Sequence, residues 1–346
     1  MSIKNLIRPT IKNIKAYSSA RDEFTDFDKE MVFLDANENP FNNGVNRYPD
    51  PQQQKVKQLL AEIKKVSTNN ILLGNGSDEV LDLIFRAFCE PKEDNSIILP
   101  PTYGMYKVLA DLNGVETITV NLTKTFQPKV QAILNAATKH SKLLFLCSPN
   151  NPTANSFQSK QIEQLIREFK GIVVIDEAYI DFSEQESWLS RLNEFPNLIV
   201  TQTLSKAYGM AGIRLGICYA SQEIIAVLNK IKPPYNVNAL TQQFALERLG
   251  NFNIVSEEIA KIIEQRNLVS NELKAINFIS RIYESDANFI LVKVDDANKR
   301  YRQLLAKGIV IRNRTTQVLC KNTLRFTVGT ELENQLLIKA LKELES

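Results

Sequence analysis

The chain has 346 residues, more than one hydrophobic core usually organises, so its length favours two lobes over a single small domain. Hydrophobic residues make up 44% of it and charged residues 23%, and its 12 Gly and 13 Pro exclude collagen-like and low-complexity architectures. The 42 Lys and Arg against 39 Asp and Glu give a formal charge of +3, too small for a nucleic-acid-binding protein without a basic cluster, and no long basic run occurs.

The cysteines, the single histidine and the hydropathy pattern exclude further classes of protein and site. No stretch approaches the roughly 18 apolar residues of a membrane helix, and the first 15 residues lack the apolar run of a secretory signal. The four cysteines have no paired spacing, which predicts reduced, mostly buried thiols. His140 is the only histidine, so a site with several histidine ligands is excluded. We therefore expect a cytoplasmic protein without a metal site, and with neither nucleic acid nor membrane as a partner.

Between residues 70 and 220 short apolar runs alternate with longer amphipathic ones. This alternation predicts an α/β fold with a mainly parallel sheet between helices. The predicted strands are Ser96–Leu99, Val115–Val120, Lys142–Cys147, Ile172–Ile175, Leu198–Gln202 and Leu215–Tyr219. The predicted helices are Ser77–Cys89, Tyr103–Asn113 and Ser159–Phe169.

The pattern changes after Lys232-Pro233-Pro234 to long helical runs and then to a small α+β domain. The predicted helices are Asn238–Leu249, about Ile254–Ile276, Ala297–Lys307 and one that begins at Glu331. The predicted strands are Phe278–Tyr283, Asn288–Val294, Ile309–Arg312 and Thr323–Val328. We assign residues 1–29 to an N-terminal arm, 48–245 to a large domain, and 30–47 with 246–346 to a small domain.

A lysine follows the predicted strand Leu198–Gln202 in the segment TLSKAYGMAGIRLG, residues 203–216. The amine of Lys206, beside apolar neighbours, can lose its proton and attack a carbonyl to form a Schiff base. The hydroxyl of Ser205 and the guanidinium of Arg214 could grip a phosphate on the same ligand. Read alone, this segment is equally consistent with a surface lysine in a polar loop.

An acid ends the β-branched run Ile172–Ile175. Ligands of open α/β sheets bind beyond the carboxyl ends of the strands, where Asp176 could hold a pyridinium nitrogen protonated and Tyr179 could reach the ring. Two solvated acids after a strand are the commoner explanation of this pattern alone. A magnesium site of a nucleotidase would also suit it, but no P-loop precedes it.

Three further segments bring polar or aromatic groups to strand ends. Asn151 in CSPNNPT can donate its amide to a ligand oxygen. In GNGSDE, Gly76, Ser77 and Asp78 open a helix whose free N–H groups attract an anion such as phosphate. Tyr103 in PPTYGMY could lie against a flat ring. Each is ordinary by itself, as a turn, a helix cap or core packing, but with Lys206 and Asp176 they predict a pyridoxal phosphate site.

Together these segments resemble the fold-type-I pyridoxal-phosphate-dependent aminotransferases, and the resemblance covers most of the chain. The motifs that carry it are LDANENP (34–40), RYPDPQ (47–52), GNGSDE (74–79), RAFCEP (86–91), PPTYGMY (100–106), CSPNNPT (147–153), DEAYIDF (176–182), TLSKAYGMAGIRLG (203–216) and LRFTVGT (324–330). The match is nearest to the members that act on histidinol phosphate. It implies a large domain with a mainly parallel sheet, a smaller α+β domain and pyridoxal 5'-phosphate as cofactor.

The resemblance also implies residue roles. Lys206 would bind the cofactor covalently, Asp176 would pair with its pyridine nitrogen, and Tyr103 would stack on its ring. Asn151 and Tyr179 would hold the ring hydroxyl, and Lys206, Asp176 and Tyr179 would be the catalytic set. The residues implied for the phosphate are Gly76, Ser77, Asp78, Ser205 and Arg214, with Tyr48 from the other subunit of a homodimer. The residues implied for the substrate anion are Arg325, Arg312 and Tyr17.

The activity implied is transamination of L-histidinol phosphate with 2-oxoglutarate, which gives imidazole acetol phosphate and glutamate in histidine biosynthesis. Alternatives are an aromatic or broad-range amino-acid aminotransferase, a phosphothreonine-type decarboxylase on the same scaffold, a ligand-sensing domain of a regulator and a nucleotide-binding hydrolase. The sequence departs from the family at Ala154, where relatives usually have glycine. Because alanine resists a positive φ, the resemblance does not predict the geometry of this turn.

Overall fold

The computed structural model of the chain describes residues 2–15 and 32–345. Its larger sheet contains seven strands: β1 (Ile71–Asn75), β2 (Asn95–Ile98), β3 (Glu116–Thr119), β4 (Ser141–Cys147), β5 (Ile172–Asp176), β6 (Leu198–Thr203) and β7 (Leu215–Ala220). Their order across the sheet is β1-β7-β6-β5-β4-β2-β3. The pairs among β2 to β6 are parallel, whereas β7 runs antiparallel to both β6 and β1. The carboxyl ends of β2, β4, β5 and β6 therefore share one edge, as the sequence predicts.

Helices cover both faces of this sheet. They are α1 (Pro9–Asn13), α2 (Gln54–Lys64), α3 (Gly76–Phe88), α4 (Met105–Leu112), α5 (Val130–Ala136), α6 (Ser159–Glu168), α7 (Gln222–Ile231) and α8 (Ala239–Gly250). Successive strand residues enter two different cores, with Leu144 and Ile175 on one side and Leu143 and Val174 on the other. Burial on both faces explains why the strands read as continuous apolar runs instead of alternating ones.

The smaller sheet is antiparallel throughout, in the order β10-β11-β9-β8. Its strands are β8 (Ile279–Ile282), β9 (Phe289–Val294), β10 (Arg312–Asn313) and β11 (Thr323–Thr327), and its helices are α9 (Phe252–Glu272), α10 (Ala297–Ala306) and α11 (Glu331–Glu343). They enclose a core of their own. A capping box between Thr330 and Glu333 fixes the start of α11. These two sheets correspond to the two expected lobes, while the domain boundaries stay a prediction.

One predicted strand, Ile309–Arg312, has the wrong bounds. The chain after α10 continues in a turn, because Gly308 has a φ of +78° and the Ile309 N–H donates to the Leu304 carbonyl at 2.9 Å. This Gly-terminated helix end delays the strand until Arg312. The apolar residues of the segment therefore mark the end of a helix and not a full strand.

The cysteines and the single histidine form neither disulfides nor a metal site within the described residues. The four cysteines are buried and unpaired, and His140 is half exposed, 3.8 Å from the Asp94 carboxylate. Within residues 2–15 and 32–345, no helix is long and apolar enough to cross a membrane. No group of three potential metal ligands occurs in these ranges either.

Candidate active site

A cavity of about 530 Å³ lies where the carboxyl ends of the parallel strands face the smaller sheet. Sheets of this kind place ligands at such an edge. The predicted site residues that line it are Ser77, Asp78, Tyr103, Asn151, Asp176, Tyr179, Ser205, Lys206, Arg214, Arg312 and Arg325. Folding thus brings together side chains that are separated by up to about 250 positions in the sequence.

Lys206 lies in the turn that follows β6, where Gly209, with a φ of +69°, donates its N–H to the Lys206 carbonyl at 3.0 Å. Its ammonium is 5.8 Å from the centre of the Tyr179 ring. Protein atoms around the amine, together with the positive charges of Arg325 and Arg214, lower the pKa of Lys206. The Lys206 side chain lines the cavity. Because its pKa is lowered, more of this amine is neutral and able to react with a ligand in the cavity.

Asp176, the last residue of β5, is only 4% exposed. The Tyr106 hydroxyl donates to its Oδ2 at 2.6 Å, and the Ala178 N–H donates to its Oδ1 at 3.1 Å. Burial raises the pKa of Asp176, and these two hydrogen bonds act in the opposite direction. Sequence reasoning missed Tyr106, because a tyrosine on the buried face of α4 is typical of core packing.

Asn151, Tyr179 and Arg325 form a hydrogen-bonded series across the cavity wall. The Asn151 amide donates to the Tyr179 hydroxyl at 3.3 Å and accepts from the Arg325 guanidinium at 2.5 Å. The Arg325 guanidinium lies 4.9 Å above the centre of the Phe289 ring. Residues from the loop after β4, the loop after β5 and β11 are thereby held in one arrangement, which joins the larger sheet to the smaller one.

The start of α3 forms a cradle with Arg214. Gly76 has a φ of +78°, its N–H donates to the Arg214 carbonyl at 2.7 Å, and a Cβ there would lie 2.7 Å from Arg214 Nη2. The β1–β7 register opposes Gly74 to Gly216, and a Cβ at Gly216 would lie only 2.3 Å from the Ser77 nitrogen. The N–H of Gly76 is thus already engaged. The N–H groups of Ser77 and Asp78 have no partner within the helix and are the ones that an anion can use.

The opposite end of the cavity is strongly cationic. Arg312 pairs with Arg325 across β10 and β11, and Arg314 and Gln317 line the same end. The Nε atoms of Arg314 and Arg325 and the Oε1 atom of Gln317 are buried and have no hydrogen-bond partner among the described residues. Burial and the charges of Arg314 and Arg312 lower the pKa of Arg325 to about 10. Unpaired buried donors and crowded like charges favour an anionic ligand here.

Sequence reasoning also missed Arg314 and Gln317. The available signal was the spacing of Arg312 and Arg314, because residues i and i+2 of an extended segment point to the same face. Gln317 follows in the loop between β10 and β11, where no periodicity predicts its orientation.

Two predicted residues lie elsewhere. Tyr48 does not line this cavity: it is 51% exposed, and its ring stacks on that of Tyr235 with centroids 4.5 Å apart. A residue contributed to another subunit must lie on the surface of its own chain, so this position agrees with the expected role, which stays a prediction. Tyr17 lies outside the described residues.

Ala154 adopts a φ of +68°, the conformation that glycine would favour, and its methyl group is fully buried. Its N–H donates to the Asn150 carbonyl at 2.8 Å, and its carbonyl accepts from the Asp286 N–H at 2.8 Å. These contacts hold the turn in the left-handed region despite the cost to alanine. The departure from the family motif therefore leaves the turn beside Asn151 in place.

Comparisons with known proteins extend over nearly the whole chain. The family model of class I and II aminotransferases matches residues 29–341. The histidinol-phosphate aminotransferase of Flavobacterium johnsoniae is 64% identical over 341 residues, which cover 98% of this chain and 98% of that protein. The solved histidinol-phosphate aminotransferase of Clostridium acetobutylicum matches with a TM-score of 0.80 and 25% identity over 87% of this chain and 91% of that one.

A third relative was solved with a ligand. The histidinol-phosphate aminotransferase of Sinorhizobium meliloti, in complex with pyridoxal-5'-phosphate, matches with a TM-score of 0.77 and 22% identity, over 86% of this chain and 84% of that one. The two structural likenesses confirm the fold class predicted from the sequence.

Proposed function

The chain belongs to the class I and II aminotransferases, whose cofactor is pyridoxal 5'-phosphate, and we propose that it transfers the amino group of L-histidinol phosphate to 2-oxoglutarate. The products are imidazole acetol phosphate and glutamate, and the reaction belongs to histidine biosynthesis. Identity of 64% to a histidinol-phosphate aminotransferase along nearly the full length supports this substrate over an aromatic or broad-range set of amino acids.

The residues of the cavity fit the cofactor. The lysine amine, whose pKa is lowered, suits the aldehyde of the cofactor. The buried carboxylate suits its ring nitrogen, and the anion cradle suits its phosphate. The cradle is shaped for an anion, since a Cβ at Gly76 would fill the space beside Arg214. Ser77 and Asp78 would bind the phosphate through their N–H groups, and Ser205 and Arg214 through their side chains. Tyr103 would lie against the ring, and Asn151 with Tyr179 would bind its hydroxyl.

When bound, the cofactor supplies an electron sink that stabilises the carbanion formed at the substrate's Cα. Lys206 Nζ would carry the proton from the substrate's Cα to C4′ of the cofactor in the first half-reaction and from C4′ to Cα in the second, since its lowered pKa leaves part of the amine neutral. Asp176 holds a proton at the ring nitrogen through its buried carboxylate. Tyr179 would orient the cofactor ring with its phenol hydroxyl. The Asn151 amide donates to this tyrosine hydroxyl at 3.3 Å.

The observation that carries the substrate assignment is the cationic end of the cavity. A phosphate monoester bears up to two negative charges and needs several donors, which Arg312, Arg314 and Arg325 provide. The buried Nε atoms of Arg314 and Arg325 lack partners among the described residues and would gain them from such a group. Glutamate would present a carboxylate to the same guanidinium groups in the other half-reaction.

We also infer a homodimer with shared active sites in the cytoplasm, without nucleic acid or membrane as partners. The exposed Tyr48 lines one surface groove with the exposed Val45 and Leu240, and apolar side chains of this kind favour burial against a second copy. In that dimer Tyr48 would reach the phosphate site of the other subunit.

Half-transamination tests the proposed activity. The cofactor-loaded protein is mixed with histidinol phosphate, phenylalanine or glutamate, and the change in cofactor absorbance gives a rate for each amine. We expect histidinol phosphate to have the highest kcat/KM among the amino donors, with glutamate as the partner of the reverse half-reaction. A preference for phenylalanine would contradict the proposal and favour an aromatic aminotransferase.

A further inference from the structure

We propose that Tyr106 is a positioning residue whose hydrogen bond to Asp176 keeps the shared proton on the ring nitrogen of the bound cofactor. This inference rests on the role proposed above for Asp176. It concerns a residue of the motif PPTYGMY that lies outside the cavity lining, although other residues of that motif, Tyr103 among them, line the cavity.

Tyr106 makes a short, buried hydrogen bond to the Asp176 carboxylate. Its hydroxyl is 2.6 Å from Asp176 Oδ2, and its side chain is completely buried. Its ring stacks on Phe145 with centroids 4.8 Å apart and meets the edge of Tyr103 at 5.5 Å. A fully buried ring in contact with two other aromatic rings has little freedom to move, so α4 delivers a fixed donor to the end of β5.

Tyr106 is the only side chain in the described ranges that donates to this carboxylate with hydrogen-bond geometry. Thr201 pairs with Asp176 between β5 and β6; its buried hydroxyl lies close enough to lower the pKa of Asp176 but makes no hydrogen bond of good geometry. The other titratable groups around Asp176 are Asp78, Tyr103, Cys147, Tyr179 and Lys206. Removing the Tyr106 hydroxyl would therefore take from the buried Asp176 carboxylate its short side-chain hydrogen bond and leave the more weakly placed Thr201 hydroxyl beside it.

The consequence for the cofactor follows from competition for one proton. Asp176 and the ring nitrogen are two bases that share it, and a donor to the carboxylate makes Asp176 the weaker base. The proton then stays on the nitrogen, where the electron sink requires it. Without the Tyr106 hydroxyl, desolvation favours the neutral carboxylic acid, and the proton moves towards Asp176.

The test uses the holoenzyme loaded with cofactor labelled with ¹⁵N in its ring. The ¹⁵N chemical shift reports whether the nitrogen is protonated, independently of any substrate. We expect a protonated nitrogen in the unmodified protein and in Tyr219→Phe, and a shift towards the neutral nitrogen in Tyr106→Phe. Tyr219 is a matched control, because its hydroxyl is equally buried but has no hydrogen-bond partner among the described residues.

A double-mutant cycle with Asp176→Asn separates positioning from packing. Tyr106→Phe should slow half-transamination by about 10- to 100-fold, the effect expected for a hydrogen bond to a charged group. In the Asp176→Asn background the same change should have little further effect, because Tyr106 acts through the carboxylate. An unchanged ¹⁵N shift in Tyr106→Phe, or an equal loss of rate in both backgrounds, would overturn the inference.

Further outcomes of these experiments concern the role of Asp176 and the folding of the variants. If Asp176→Asn itself keeps the nitrogen signal and the rate, the role proposed for Asp176 fails, and this inference fails with it. If Tyr106→Phe does not fold but the double variant Tyr106→Phe/Asp176→Asn does, the tyrosine acts through the buried charge, as proposed. If neither folds, Tyr106 serves packing alone and the inference is wrong.

Discussion

Arg325→Gln provides the sharpest test of the cationic end of the cavity. The change removes the positive charge and the guanidinium fork but keeps a side chain with amide donors. Arg325 contacts Asn151 Oδ1 at 2.5 Å and lies over the Phe289 ring, so its position is fixed before any substrate arrives. The loss should therefore be felt in substrate binding and in both half-reactions.

The size of the effect follows from the hydrogen bonds that the guanidinium can make. A carboxylate or phosphate held by two parallel N–H groups gains two charged hydrogen bonds, each worth roughly 1.5–3 kcal/mol. Losing both costs about 3–6 kcal/mol, or about 10²- to 10⁴-fold in kcat/KM, at roughly 1.4 kcal/mol per factor of ten. Arg312→Gln removes a more exposed charge, and we expect it mainly to raise KM for the phosphorylated amine.

The assay measures both half-reactions of each variant by stopped-flow absorbance, with histidinol phosphate and with glutamate. Arg281→Gln is the matched control, because Arg281 belongs to the same sheet but is exposed and lies over Tyr283, outside the cavity. Its rates should equal those of the unmodified protein. A loss of less than threefold for Arg325→Gln with both substrates would refute the reasoning.

Three other predictions can be checked with standard methods. Borohydride reduction of the holoenzyme should leave a label on the peptide that contains Lys206, and Lys206→Ala should lose both the label and repeated turnover; sustained turnover without added amine would contradict its role as base. Mixing Tyr48→Phe with Lys206→Ala subunits should restore up to about a quarter of the wild-type sites, since half of randomly formed dimers carry one intact site; no gain over the parents would argue against sharing. Burial and the charge of Lys232 lower the pKa of Lys57 to about 8. The folded state therefore disfavours the Lys57 ammonium, and this destabilisation is fully present below pH 8 and lost as pH rises towards 10.5. Lys57→Met should raise the free energy of unfolding by about 1–3 kcal/mol at pH 7 and by less at pH 10, as measured by urea titration.

The sequence predicted the parts of the site that lie at strand ends. Asp176 ends the buried apolar run of β5, and Lys206 lies three residues past the buried strand β6, which begins with the apolar run Leu198–Val200. In both places a buried apolar run followed by polar residues indicates a strand whose carboxyl end faces the ligand crevice. This local pattern requires no knowledge of distant contacts.

Long-range contacts were beyond such reasoning. Tyr106 and Asp176 are 70 positions apart, and only the packing of α4 on the sheet, where the Tyr106 ring stacks on Phe145 of β4, brings the hydroxyl to the carboxylate. The strand β1 was missed for a similar reason, because ILLG is a short apolar run whose antiparallel partner lies about 140 positions later. The burial of Arg314 depends on a loop whose path has no periodic signal.

The antiparallel strand β7 has a consequence for how the protein forms the proposed cofactor site. β7 lies between β6 and β1, and its first residues bring Arg214 and Gly216 against the start of α3. The anion cradle therefore cannot form until a strand from late in the large sheet has inserted beside one from its beginning, a contact of high sequence separation that closes slowly. Cofactor capture then reports completion of the sheet, and because the ligand binds only the completed form, it draws the folding equilibrium towards the native state.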